Sequence, residues 1–252
     1  MRIFVVSDTH DIPEEELRLI PKEAIRQNCS CIIHCGDMED RHIGHEALGD
    51  LPIWVILSNR NNIKLYRHGD ETFFAPDNGD GEEKPEENKE LKRLLSNWHI
   101  LPDRNDQIIE FGKTKKIRIY IYHYLGLDIL RDLNMKIPTP AGTVKDMTAD
   151  EKTQKDPSLA LKYKLTFFKR FVKRKTWPKI KTFELVEEVR SKFGEIHYVL
   201  FGHSHHQFFH VNHDMALVNP GAFCEDFLGR PKRSYAVIDT KTWEITFSKV
   251  IL

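Results

Sequence analysis

Five segments of this 252-residue chain carry side chains that bind divalent metal ions, and each segment follows an apolar run. The side chains are Asp, Asn and His, whose hard oxygens and imidazole nitrogens are ligands for such ions. In chain order they are Asp8 and His10, then Asp37, Asn59 and His123, and finally His203 and His205. One strand with a polar residue at its end is ordinary, but five of them with metal-binding residue types indicate a single site.

The elements that must position these side chains are strands, which the apolar runs predict at residues 2–6, 31–34, 53–57, 116–122 and 198–201. Ligands of open α/β sheets bind in the crevice beyond the carboxyl ends of the strands. We therefore expect the seven side chains to converge at that edge. Their number suggests two metal ions.

The order of these motifs resembles the calcineurin-like metallophosphoesterase superfamily, in its small, single-domain branch. The motifs are Asp-x-His at 8–10, Gly-Asp at 36–37, an Asn at 59, a His at 123 and Gly-His-Ser-His at 202–205. The resemblance implies one ion held by Asp8, His10, Asp37 and His205, and a second held by Asp37, Asn59, His123 and His203, with Asp37 bridging them. It implies manganese, iron or zinc, which suit these nitrogen and oxygen ligands.

The chemistry that the resemblance implies is phosphate ester hydrolysis. Two ions about 3.5–4 Å apart bind phosphate oxygens and lower the pKa of a bridging water molecule, so that hydroxide forms near neutral pH. The function predicted is therefore a dinuclear metal-dependent phosphoesterase, with phosphodiesters favoured as substrates.

Two arginines are candidates for contact with the phosphate, which a guanidinium grips with paired hydrogen bonds. Arg41 ends a segment that resembles the Gly-Asp-x-x-Asp-Arg block of the protein phosphatase branch; the alternative is a surface arginine paired with Asp40.

Arg60 stands where many relatives carry a histidine that protonates the leaving group. Arginine cannot deliver a proton near neutral pH, so we expect good leaving groups to be preferred. Some small bacterial and archaeal relatives that also lack this histidine resemble phosphodiesterases.

Several neighbouring residues have predicted supporting roles or depart from the family pattern. Asp11 replaces a glycine that often follows Asp-x-His. His34 is expected to support the metal ligands rather than to be one. Asn219 begins an Asn-Pro-Gly sequence whose Asn either supports the metal loop or merely forms a turn. The four cysteines, which include Cys224, show no metal-binding spacing and are interpreted as reduced thiols.

The predicted fold class is α/β, with two mixed β-sheets packed as a sandwich and flanked by helices in four αββα layers. A single domain over residues 1–252 is expected, with an inserted helical, cap-like segment at about 127–195. The sequence also predicts a helical stretch at 13–27 interrupted at Pro21, a short helix at about 87–97, and strands at 107–111, 207–211, 215–218, 234–239 and 242–250.

Charge is balanced overall, with 38 basic and 38 acidic residues, but a basic segment runs from Lys162 to Lys181. Aromatic residues alternate with its bases, a pattern that can bind single-stranded nucleic acid. An amphipathic helix with solvated lysines is the favoured alternative, and a membrane-surface helix a weaker one.

Compartment and assembly are predicted only in outline. A strand from residue 2 leaves no room for a signal peptide, and the sequence has no apolar run of about 20 residues, the length of a membrane helix. A cytoplasmic protein without membrane attachment is therefore expected. A homo-oligomer is compatible with the sequence.

Two other functions remain open from the sequence. One is a nuclease or RNA-processing phosphodiesterase that uses the basic segment. The other is a non-catalytic scaffold, because the retromer subunit that resembles this fold has lost metal ligands. The presence of all seven candidate ligands favours the enzyme.

Overall fold

The computed structural model describes residues 1–57, 61, 63–76, 92–101, 108–112, 116–123, 189–203, 205–212, 214–224 and 232–250. The chain divides into two compact units, residues 1–126 with 195–252 and residues 127–194. The predicted helical insertion at 127–195 and the basic segment within it lie almost wholly outside the described residues and stay predictions, as does the single domain over 1–252.

The described elements are mostly short strands. In chain order the strands are β1 (Arg2–Val6), β2 (Cys31–His34), β3 (Ile53–Ile56), β4 (Ile63–His68), β5 (Glu71–Pro76), β6 (Lys92–Arg93), β7 (Trp98–Leu101), β8 (Ile108–Phe111), β9 (Ile117–Tyr122), β10 (Tyr198–Phe201), β11 (Gln207–Asn212), β12 (Met215–Pro220), β13 (Ser234–Asp239) and β14 (Glu244–Lys249). Helices α1 (Glu14–Leu17) and α2 (Leu19–Arg26) follow β1, and 3-10 helices span Asp40–His42 and Glu46–Leu48.

The strands form three sheets. A six-stranded sheet has the order β14-β13-β1-β2-β3-β7, and a five-stranded sheet has the order β11-β12-β10-β9-β8. Strand β1 pairs parallel with β2 and antiparallel with β13, while β10 pairs parallel with both β9 and β12. Both larger sheets are therefore mixed, as the sequence predicted. Strands β4, β5 and β6 form a small antiparallel sheet.

Strand β1 lies between two buried layers, which explains why its sequence is apolar without alternation. Ile3 and Val5 pack in one buried cluster with residues of the five-stranded sheet such as Ile119 and Leu200. Phe4 and Val6 face the other way, into a cluster that contains residues of α1, α2 and the second 3-10 helix. The described residues thus form a layer of helices and two sheets packed face to face. The fourth, helical layer of the prediction stays a prediction.

Two predictions for the helices need correction. The helical stretch after β1 is indeed two helices, but it breaks at Arg18 rather than at Pro21. Pro21 is the third residue of α2, in the first turn, where a missing backbone N–H breaks no intrahelical hydrogen bond.

The short helix predicted at about 87–97 is wrong in its described part. Lys92 and Arg93 form β6 and pair with Phe74 and Phe73 of β5. The N–H of Leu94 then donates to the carbonyl oxygen of Thr72 at 2.8 Å. Pairing with a neighbouring strand overrides the helical spacing of the leucines, because local propensity is a weak constraint beside tertiary contacts.

The remaining predicted strands agree closely with the structure. Strands β1, β2 and β13 have the predicted bounds, and β12 extends two residues beyond 218. The hairpin of β13 and β14 closes at the predicted turn, where the N–H of Trp243 donates to the carbonyl oxygen of Asp239 at 2.8 Å. Within the described ranges, no helix has the length and apolar character needed to cross a membrane.

Candidate metal centre

The candidate ligands that the structure describes converge at the carboxyl ends of four strands, as expected. Asp8 and His10 follow β1 and Asp37 follows β2, both strands of the six-stranded sheet. The other three follow strands of the five-stranded sheet: His123 comes after β9, and His203 and His205 come after β10. Each sheet therefore supplies three of the six side chains. Asn59 and Arg60 lie outside the described residues.

Backbone hydrogen bonds join the two loops of the six-stranded sheet. The N–H of Asp8 donates to the carbonyl oxygen of Gly36 at 3.0 Å, and that of His10 donates to the carbonyl oxygen of Asp37 at 2.8 Å. His10 and Met38 also form an isolated bridge. The two loops are thus held in a fixed register.

The candidate ligands adopt an unusual backbone conformation. Five of them have positive φ: Asp8 (52°), His10 (49°), Asp37 (58°), His203 (66°) and His205 (56°). Left-handed backbone costs a residue other than glycine roughly 1–3 kcal/mol and is concentrated at functional sites. Such a concentration in one cluster indicates that the loops are shaped for function rather than for stability.

The side chains lie at the separations expected of ligands around shared ions. Ring nitrogen Nε2 of His10 is 3.1 Å from Nε2 of His205, which itself is 3.4 Å from Oδ1 of Asp8. Two nitrogens bound at right angles to one ion, with bonds of ~2.1 Å, would be about 3.0 Å apart. The donor atoms therefore fit a divalent cation.

Asp37 lies between the two groups of candidate ligands. Its Oδ2 is 3.4 Å from Nε2 of His123 and 3.9 Å from Nε2 of His10. Ligand atoms of Asp37, His123 and His203 lie within 4.8 Å of one another, and so do those of Asp8, His10 and Asp37. A carboxylate common to both groups is what a bridging ligand requires.

Three candidate ligands of this cluster are buried, and their charges interact. Asp8 and His123 are both fully buried, and Asp37 is nearly so. Burial alone would raise the pKa of Asp8, but a hydrogen bond with His205 and the charge of His123 outweigh it, and the pKa lies below the ordinary value. Burial lowers the pKa of His123, but the hydrogen bond with Asp37 reverses this and raises it. Without metal, the carboxylates of Asp8 and Asp37 and the imidazole of His123 thus stabilise each other's charged forms. A metal ion that binds the imidazole nitrogen must displace its proton.

Neighbouring groups orient the ligand rings. Nδ1–H of His123 donates to the carbonyl oxygen of Cys35 at 2.7 Å, which leaves Nε2 directed at Asp37. A hydrogen bond of this kind is the usual means by which proteins fix a metal-binding histidine.

His34 supports the loops as the sequence suggested. Its Nδ1 accepts from the N–H of Gly36 at 3.2 Å, so Nε2 carries the proton and donates to Oγ1 of Thr9 at 3.1 Å. Burial lowers the pKa of His34 to about 3, so the ring stays neutral. It therefore ties the β1 loop to the β2 loop without a charge.

Asn219 supports the loop that carries His203 and His205. Its Nδ2 donates to the carbonyl oxygen of Gly202 at 2.8 Å, and its Oδ1 accepts from the N–H of Gly221 at 2.8 Å. The N–H of His203 in turn donates to both carboxylate oxygens of Asp8, each at 3.0 Å. Both interpretations of Asn219 agree with these contacts, because its Nδ2 supports the loop while its Oδ1 closes an Asx turn.

Arg41 lies on the rim of the cluster, in the first 3-10 helix, and forms an ion pair with Asp11. Both side chains are mostly exposed, at 61% and 67%. The sequence alternative paired Arg41 with Asp40, whose carboxylate accepts instead from Nδ2 of Asn61 at 2.6 Å. Asp11, which stands where relatives often have a glycine, thus offsets the positive charge of Arg41, a candidate phosphate contact.

Replacing Asp11 with Asn should therefore strengthen the binding of inorganic phosphate. An exposed ion pair is worth about 0–1 kcal/mol, so the dissociation constant for phosphate should fall by up to about fivefold at low salt. The same change in an Arg41→Gln background is the control and should have no effect. An equal change in phosphate affinity with Arg41 and with Gln at that position would mean that Asp11 acts through its negative charge and not through its ion pair with Arg41.

Sequence reasoning missed Cys224, which lies against the site. Ligand atoms of His10, His205 and Cys224 are within 4.8 Å of one another. Cys224 stands three residues after Gly221 of the Asn-Pro-Gly sequence, and that proximity to a supporting motif was the signal available.

Comparisons with known proteins agree with the fold. Residues 1–207 match the model of the calcineurin-like phosphoesterase family. The chain belongs to this family. No curated protein matches the sequence.

Among solved structures, a novel archaeal phosphodiesterase is 18% identical, with a TM-score of 0.50 over 99% of this chain and 100% of its own. At this identity the similarity establishes the fold alone. YfcE, a phosphoesterase from E. coli, is 12% identical over 100% of both chains, with a TM-score of 0.42. Vps29 from Entamoeba histolytica, in complex with Zn²⁺, is 12% identical, with a TM-score of 0.43 over 98% of this chain and 90% of its own.

Proposed function

We propose that this protein is a phosphodiesterase that uses two divalent metal ions. The observation that carries the proposal is the position of Asp37, whose Oδ2 faces both His10 and His123. A carboxylate that can give an oxygen to each of two ions is the central element of a dinuclear phosphoesterase site. The family membership of the chain supports the same class of reaction.

Each candidate ligand has a proposed place. The ligands of the first ion are Asp8, His10, Asp37 and His205, and those of the second are Asp37, Asn59, His123 and His203. When bound, the ions would neutralise phosphate oxygens and lower the pKa of a water molecule. His123 and His203 bring neutral ring nitrogens to the second ion, and Asn59 brings an uncharged carbonyl oxygen. The site therefore keeps net positive charge for an anionic substrate.

Arg41 and Arg60 are the proposed substrate contacts. A guanidinium on the rim can form paired hydrogen bonds with non-bridging phosphate oxygens. Neither residue can act as a general acid near neutral pH. The leaving oxygen must then depart without a proton from these side chains, which favours esters of acidic alcohols and phenols.

The activity should consequently fall steeply as the pKa of the leaving group rises. A series of aryl phosphodiesters would measure this dependence. Arg60→His should flatten it and raise the rate with the poorest leaving groups, by up to about 10²-fold, the lower end of the range for general acid catalysis. Arg60→Gln is the control, because it removes the charge without adding an acid. A flat dependence in the native enzyme would mean that another group supplies the proton.

The direct test of the proposal combines metal content with turnover. The purified protein should bind two equivalents of Mn²⁺, Fe²⁺ or Zn²⁺ and hydrolyse diesters faster than the matching monoesters. A protein that binds no metal and turns over no ester would be the scaffold instead. Inhibition of aryl diester hydrolysis by oligonucleotides would favour the nuclease alternative.

A further inference from the structure

A buried thiol lies beside the imidazoles proposed for the first metal ion. Sγ of Cys224 and one ring nitrogen each of His10 and His205 all lie within 4.8 Å of one another. Cys224 is 6% exposed and forms no disulfide. Around one zinc ion a thiolate sulfur, bound at ~2.3 Å, and an imidazole nitrogen, bound at ~2.1 Å, are about 3.5 Å apart. Small side-chain movements would therefore close the three groups on one ion.

The backbone holds Cys224 against the loop that carries the other ligands. Its N–H donates to the carbonyl oxygen of Asp8 at 3.1 Å, and the N–H of Phe223 donates to the carbonyl oxygen of Ser7 at 2.9 Å. On its other side, the carbonyl oxygen of Cys224 accepts from the N–H of Lys232 at 3.1 Å. Lys232 also reaches the second ligand loop, where its Nζ donates to the carbonyl oxygen of His205 at 2.9 Å. The thiol is thus fixed relative to both imidazoles.

We propose that Cys224 is a thiolate ligand of the ion held by Asp8, His10, Asp37 and His205, and that it selects Zn²⁺ over Mn²⁺ at this position. The inference rests on the metal site of the proposed function but not on its activity. The thiol loses its proton to solvent when the ion binds, and the sulfur lone pair forms the metal bond. Thiolate is a soft ligand that favours zinc, whereas Mn²⁺ prefers oxygen ligands.

This ligand would distinguish the two metal positions. The second group, Asp37, His123 and His203, offers oxygen and nitrogen only among the described residues. The position with Cys224 should therefore bind zinc tightly, while the position with His123 should exchange its ion more readily. A protein loaded with both metals would carry one of each.

The primary test follows cobalt binding by absorption spectroscopy. Metal-free protein titrated with Co²⁺ should develop a near-ultraviolet sulfur-to-cobalt charge-transfer band with the first equivalent. The band should be absent in Cys224→Ser and Cys224→Ala. Cys29→Ser is the matched control, because Cys29 is equally buried at 7% but is in none of the groups of candidate ligands; it should keep the band.

Competition titrations give a second, independent readout. Cys224→Ser should weaken Zn²⁺ binding at the first position by at least 10–100-fold, the range for loss of a group that only supports a ligand. Mn²⁺ affinity should change little, so the ratio of the two affinities should fall. Thermal melting of the metal-free variants would show that they are folded.

The outcomes separate this inference from the proposed function. Cobalt binding without a thiolate band in the native protein, or a band that persists in Cys224→Ser, would overturn the role of Cys224 alone. No cobalt binding at all would overturn the metal site and the proposed function with it.

Discussion

Replacing Asp37 with Asn should abolish turnover and weaken the binding of both metal ions while the protein stays folded. Asp37 is the candidate ligand shared by both groups, and its Oδ2 faces His10 and His123. An amide cannot supply a charged oxygen to each of two ions. Each affinity should fall by more than the roughly 10–100-fold seen when only a supporting group is lost.

The fold should survive this substitution because the backbone at position 37 suits Asn. Asp37 has a φ of 58°, and Asn is one of the few residues that adopt the left-handed conformation readily. Asp40→Asn is a matched control, since it removes the same charge three residues away and outside the groups of candidate ligands. Metal stoichiometry and melting temperature would be measured for both. Turnover by Asp37→Asn with two ions bound would contradict the dinuclear site.

Replacing Gly36 with Ala should displace His123 and remove the ion that His123 is proposed to hold. A Cβ at position 36 would lie 2.6 Å from Nδ1 of His123 and 2.7 Å from its Cγ. The ring cannot simply rotate away, because Nδ1 is bound to the carbonyl oxygen of Cys35. Overpacking of this kind costs about 1–3 kcal/mol of the free energy of unfolding, and the φ of 95° adds strain.

Gly69→Ala is the control that separates the effect of the steric clash from the effect of the backbone strain. Gly69 also has a positive φ, 60°, but a Cβ there would meet nothing within 4 Å. It should lower the melting temperature slightly and leave metal binding unchanged. Gly36→Ala should instead bind about one ion per chain. If Gly36→Ala kept two ions with native affinity, His123 would not be a ligand that this contact positions.

The sequence predicted the parts of the fold that local composition determines. Strands β1 and β2 are buried on both faces, and their apolar runs have the short length that favours a buried strand over a helix. The ligands could be predicted to converge because each follows such a strand, and the carboxyl ends of parallel strands meet. The family resemblance then supplied the pairing of ligands that spacing alone left open.

What the sequence did not predict depends on contacts between distant residues. Lys92 and Arg93 form a strand only because β5 lies beside them. Arg41 pairs with Asp11, a residue 30 positions away, so its partner could not be found from the helix that carries it. Cys224 reaches His10 through backbone pairing with residues 7 and 8, and in the sequence only its position three residues after Gly221 pointed toward the site.

The candidate ligands are divided between two sheets, so a bound ion would hold the two sheets together. Of the six that the structure describes, three belong to loops of the six-stranded sheet and three to loops of the five-stranded sheet. Pulling the two sheets apart at this edge would require the ion to leave. At a metal concentration 1,000 times the dissociation constant, this linkage adds about 4 kcal/mol to the free energy of unfolding. The protein would then resist opening most strongly with metal bound, and loss of metal would weaken the contact between the two sheets at the proposed site.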